Sequence, residues 1–150
     1  MKAFRYLLAI TVFPLLLSCE AEQKDGNSEA ELNIPGSESR VRPAAARGTS
    51  AAYLVYTNSL EMADTLRSVN SPVAGLVQVH EAYETEEGMM GMRQQKELVV
   101  QPGESISFKK GGLHIMLMDL NKDLKEGDSV RVELEFSQAG QISRMLPVQL

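Results

Sequence analysis

The sequence predicts an all-β fold, a sandwich or barrel of seven or eight short strands. Three observations carry this. Val130, Val132, Leu134 and Phe136 alternate with Arg131, Glu133 and Glu135, the period-two signature of a half-buried strand. Turn signals separate short apolar runs at the spacing of about 8–12 residues typical of such folds. No stretch longer than about ten residues carries a helical period.

The elements follow in order. Residues 51–57, Ala-Ala-Tyr-Leu-Val-Tyr-Thr, are rich in β-formers and run into Asn58-Ser59. Asp64 to Val69 is a second candidate. Leu76 to Tyr83 is a third, opened by Ser71-Pro72 and Gly75. Glu97 to Val100 is a fourth, closed by the turn Gln101-Pro102-Gly103. Ser105 to Lys109 alternates, with Ile106 and Phe108 on one face. Gly111-Gly112 breaks the chain before Leu113 to Leu120. Asn121 to Lys125 is read as a single helical turn, and Lys125-Glu126-Gly127-Asp128 as a turn before the strand at Val130. Ala139-Gly140 then leads into a last strand, Ile142 to Val148.

The N-terminal part reads differently. Lys2 and Arg5 precede Tyr6 to Leu17, an apolar run of 12 residues. That is short of the roughly 20 residues a membrane span needs and fits the core of a secretory signal. Leu16-Leu17-Ser18-Cys19 resembles a bacterial lipobox. Residues 1–18 are thus expected to be a lipoprotein signal peptide, with Cys19 the lipidated first residue of the mature chain. A plain signal peptide with an incidental Cys is the alternative. The lipobox is preferred because the one Cys of the chain sits at this place. Glu20 to about Ser39 is polar and poor in apolar residues, so residues 19–38 are read as a flexible tether. Residues 39–150 form the folded domain. Lipidation would place the domain in the cell envelope, in the periplasm or outside the cytoplasmic membrane.

Composition excludes several classes. A single Cys forms no internal disulfide, so stability must come from a packed core. Removing residues 1–18 takes Lys2 and Arg5 from the 15 basic residues, leaving 13 against 20 acidic ones and a formal charge of −7. That argues against nucleic acid as a partner. A monomer is expected. No Ser/His/Asp, Cys/His or paired-carboxylate arrangement stands out, so the chain is not read as an enzyme.

The chemistry-bearing residues are two histidines and a set of methionines. Both histidines, His80 and His114, fall within a thioether-rich stretch ending at Met118. Imidazole with thioether is a soft, neutral donor set, which selects monovalent copper over hard cations. Residues two apart on a strand share a face. His114, Met116 and Met118 therefore point one way, and the aliphatic Leu113, Ile115 and Leu117 point to the core. Met92 follows a loop from Glu84 to Gly91 that can fold it back toward His80. Met89, Met90 and Met118 are possible auxiliary metal ligands. Met62 and Met145 are read as core filling. Glu84, Glu86 and Glu87 are read as a solvated loop.

The spacing resembles that of the periplasmic copper chaperones of the PCuAC type: His-Met, ten residues, Met, twenty-one residues, then His-X-Met. His80-Glu81, Met92 and His114-Ile115-Met116 stand at these intervals. Glu81 departs from the pattern and removes one thioether. Ser71-Pro72-Val73-Ala74-Gly75 and Leu124-Lys125-Glu126-Gly127-Asp128 also look like the family. The resemblance spans about residues 40–149. It implies a cupredoxin-like Greek-key β-sandwich, with His80, Met92, His114 and Met116 binding one Cu(I) at an exposed site at one end. It further implies delivery of copper to the binuclear centre of cytochrome c oxidase, the acceptor being an oxidase subunit or assembly factor. Envelope copper buffering or resistance through the same site is the alternative. An electron-transfer cupredoxin is disfavoured, because such sites need a Cys thiolate. No His- and Met-rich extension follows the domain, so a single copper ion is expected.

Overall fold

The computed structural model describes residues 39–150. The expected signal peptide, Cys19 and the whole of the expected tether, residues 19–38, lie outside the described residues. Ten strands make up the domain: β1 (Arg40–Val41), β2 (Thr49–Thr57), β3 (Asp64–Asn70), β4 (Ala74–Glu84), β5 (Met90–Gln95), β6 (Leu98–Val100), β7 (Ser105–Phe108), β8 (Leu113–Leu120), β9 (Ser129–Phe136) and β10 (Gly140–Pro147). They form two antiparallel sheets. One has the order β1-β2-β8-β4-β5, with β7 also paired to β2. The other has the order β10-β9-β3-β6. The chain passes between the sheets at β2 to β3, β3 to β4, β5 to β6, β6 to β7 and β8 to β9. This is a cupredoxin-like β-sandwich, as expected.

The core lies between the sheets. Leu54, Val79, Phe108, Ile115 and Leu117 of the first sheet meet Leu66, Val100, Val130, Val132, Leu134 and Phe136 of the second. Burying each such side chain contributes about 1.5–3 kcal/mol. Tyr56 stacks on Phe136 at 4.0 Å between ring centroids, joining the two layers. At one edge, Val41 bridges to Val148 and ties the two sheets together.

Three expectations need correction. Asn121 to Lys125 is not a helical turn. Leu124 exchanges backbone hydrogen bonds with Ala44, at 2.8 and 3.1 Å, and Asn121 N–H donates to Val73, so this segment bridges outward instead of coiling. Met62 and Met145 are not core residues; they are 57% and 62% exposed. The loop expected to run to Gly91 is shorter, because Met90 to Gln95 form β5, paired along β4 from Glu84↔Met90 to Val79↔Gln95.

Candidate metal centre

The register of three strands decides which side chains meet. His80 on β4 is the direct partner of His114 on β8. Directly opposed residues share a face of a sheet. Met116, two residues beyond His114, is opposite Gln78 on one side and Ala51 on the other. Met92 on β5 is opposite Ala82, two residues beyond His80. All four candidate ligands therefore share the outward face of the first sheet. Ile115, Leu117 and Val79, of opposite parity, are buried in the core. The candidate site lies on this face, where the Lys109–Gly112 turn enters β8, and not simply at the tip of the sandwich. His80 is in the middle of its strand, because β4 continues to Glu84.

The histidines are held at useful separation. Their ring centroids are 6.2 Å apart and the planes are inclined by 58°. Two imidazoles that bind one ion through nitrogens at about 2 Å have centroids roughly 5–6 Å apart. The observed separation lies just beyond that range. Each ring is oriented by a partner. His114 Nδ1 lies 2.9 Å from the Gly112 carbonyl. A carbonyl only accepts, so Nδ1 donates and Nε2 carries the free lone pair. His80 Nε2 lies 3.0 Å from Gln78 Oε1; an amide oxygen only accepts, so Nε2 donates and Nδ1 keeps the free lone pair. This outer support is what metal-binding histidines require. Burial, and secondarily the charge of His114, holds the His80 pKa below the ordinary imidazole value, so the ring stays neutral and able to donate its lone pair.

The turn makes the His114 contact possible. Gly111 has φ +78°, in the left-handed region that favours glycine, and Gly112 N–H donates to Lys109 O. The chain reverses there and aims the Gly112 carbonyl at the ring two residues on. His114 itself is 7% exposed, whereas Met92 is 62% exposed. A cleft of about 360 Å³ runs past Met92, His114 and Met116. The methyl side chains of Ala51 and Ala82 line it and leave room between the larger groups. A larger cleft, about 650 Å³ between β3 and β4, is lined by no histidine or methionine.

Other candidates fall in different places. Met118 shares the ligand face, one residue pair beyond Met116, opposite Leu76. Met90 shares it at the far end of β5, opposite Glu84, and is 67% exposed. Met89 lies in the turn before β5 and is 59% exposed. Glu81 has the opposite parity from His80. Arg93 grips it at 2.7 Å and Gln95 Nε2 donates to it at 2.7 Å, so it is held away from the candidate site. These donors, Arg93 first, keep its pKa below the usual carboxylate value. Among the described residues, no group of three or more His, Cys, Asp or Glu could hold a metal ion. The imidazoles of His80 and His114 and the thioethers of Met92 and Met116 share one sheet face instead. Sequence reasoning missed Gln78 and Gly112 as supports. Gln78 was discoverable, being two residues from His80 on a strand; the Gly112 carbonyl leaves no residue-type signal.

Comparison with known proteins agrees with this architecture. Residues 36–148 match the family described as "Putative lipoprotein LpqE-like", and the chain belongs to that family. It is 30% identical over 107 residues to "Putative lipoprotein Lxx21020" of Leifsonia xyli subsp. xyli (strain CTCB07), covering 71% of this chain and 64% of that protein's length. Among solved structures, it is similar to a copper-bound PCuAC domain from PmoF2, with TM-score 0.59 and 21% identity over 75% of this chain and 89% of the other. The solution structure of CuI-DR1885 from Deinococcus radiodurans gives TM-score 0.54 and 25% identity, covering 86% and 85%. The fold is that of PCuAC domains.

Proposed function

We propose that this LpqE-like chain carries one Cu(I) ion, bound by His80, Met92, His114 and Met116, and passes it to an acceptor protein. The supporting observation is the cross-strand His80–His114 pair with Met92 and Met116 on the same sheet face. The fold shared with a copper-bound PCuAC domain and with CuI-DR1885 adds to it. Four neutral ligands suit a carrier. They add no negative charge to hold the ion, and an acceptor's sulfur or nitrogen can replace them one at a time. Met92, the most exposed of the four, is the natural first ligand to leave.

The reading extends to the envelope. Cys19, lipidated, would anchor the chain, since several acyl chains give lasting attachment where one gives a marginal one. A tether of about 20 residues spans roughly 25 Å, enough to search the membrane surface. The acceptor in this reading is the binuclear copper centre of cytochrome c oxidase or an assembly factor for it. Deleting the gene tests this. Loss of oxidase activity under copper limitation, restored by added copper, is expected. Unchanged oxidase activity with heightened copper sensitivity would instead support buffering.

A further inference from the structure

The cleft beside His114 carries two cations and no carboxylate. Arg42 and Lys110 line it together with Tyr53, Met92, His114 and Met116. Both cations are exposed, and neither forms an ion pair among the described residues. Arg42 follows β1, and its N–H donates to Ala51 O, directly beside the Met116 position. Lys110 lies in the turn that enters β8. Among the described residues, an acidic residue of the same face, Glu84, is at the far end of β4, opposite Met90. The face is thus polarised, positive around His114 and negative toward the β4–β5 tip.

This placement is unexpected for a site that serves only to hold a cation. Neutral ligands leave a bound Cu(I) with its full charge, and two further positive groups border it. The chain as a whole is acidic, with a formal charge of −5. A local positive rim on an acidic molecule selects which surface can approach the site, and in what orientation. Building on the copper reading above, we propose that Arg42 and Lys110 dock a carboxylate-bearing segment of the protein that exchanges copper with this chain. The partner's negative charge then arrives beside the ion as its ligands are replaced. Its carboxylates pair with Arg42 and Lys110 while its incoming ligand displaces the four neutral ones.

The test uses the full chain in detergent with Cys19→Ser, so that no thiol of its own competes for Cu(I). Loading with one Cu(I) is confirmed first. Transfer is then timed to two synthetic peptides sharing one Cys-Gly-Cys core, flanked by Asp in one and Lys in the other. The Asp-flanked peptide should take copper on the order of 10-fold faster at low salt. The advantage should shrink at about 0.5 M salt, where the screening length falls to a few ångströms. In Arg42→Gln/Lys110→Gln it should vanish, and in Arg42→Glu/Lys110→Glu it should reverse, with each variant still loading one Cu(I). Equal rates, or a faster Lys-flanked peptide as net charge alone dictates, would overturn the docking role and leave copper binding standing. A chain that takes up no Cu(I) would remove the copper reading and this inference with it.

Discussion

Tyr83 lies directly over Gly91 across the β4–β5 pair. A Cβ added at residue 91 would stand 2.6 Å from Tyr83 Cζ, closer than side chains approach. The same ring takes the Arg93 guanidinium at 5.5 Å, and Arg93 in turn holds Glu81. This cluster, on the face opposite the candidate ligands, fixes β5 on β4 and so sets where Met92 stands.

Gly91→Ala should therefore push the Tyr83 ring aside, loosen the hairpin and lower Cu(I) affinity several-fold. Glycine in a strand ordinarily costs about 0.5–1 kcal/mol relative to alanine. In a Tyr83→Ala background the same change should then be neutral or stabilising. A double-mutant cycle by denaturant unfolding reads the coupling. Additive effects would show that Tyr83 and Gly91 do not act together.

Glu81 occupies the position where the related pattern has a thioether. Its parity and its Arg93 and Gln95 contacts place it on the other side of the sheet from His80. Glu81→Met should leave Cu(I) affinity within about twofold, as a side chain facing the opposite way cannot reach the ion. Competition titration against a Cu(I) chelator measures this. A tenfold gain would mean that the hairpin twists residue 81 into the site.

The strands of the core were legible because their faces differ in polarity. Val130 to Phe136, alternating with charged residues, could be placed from sequence alone. So could Leu113 to Leu120, where Ile115 and Leu117 are buried and Leu113 partly so. β5 was not legible. Met90 to Gln95 pair only with β4 and are almost wholly exposed, so no burial pattern marks them as a strand. Met62, in the β2–β3 loop, and Met145, on β10, misled for a related reason, since hydrophobic type does not prevent exposure. The spacing of the candidate ligands was readable. The register that sets His80 against His114 was not, because it depends on pairing between β4 and β8, strands far apart in sequence.

Asp64 offers a test of stability remote from the site. It is 1% exposed and accepts N–H groups from Thr65 at 2.7 Å and from Gln138 and Ala139 at 2.9 Å. Burial pushes its pKa up, but the backbone donors, Ala139 first, outweigh that and hold it below the ordinary value. A lowered folded pKa contributes stability that is present above the unfolded value, about 3.9, and is lost as pH falls through the folded one. Asp64→Ala should cost about 2–3 kcal/mol at neutral pH by leaving buried N–H groups unpaired. It should also flatten the fall in stability below about pH 4, with Cu(I) affinity unchanged. Urea unfolding across pH checks both; an acid-side slope unaltered by the substitution would assign it to other carboxylates.

The direct measurement is X-ray absorption at the copper edge during Cu(I) titration of the Cys19→Ser chain. Saturation at one ion is expected, with two nitrogen and two sulfur neighbours. Met116→Ala and Met92→Ala should each remove one sulfur, and Met62→Ala none. A copper ion surrounded by nitrogen and oxygen alone, or a sulfur count indifferent to Met92 and Met116, would contradict the four-ligand site.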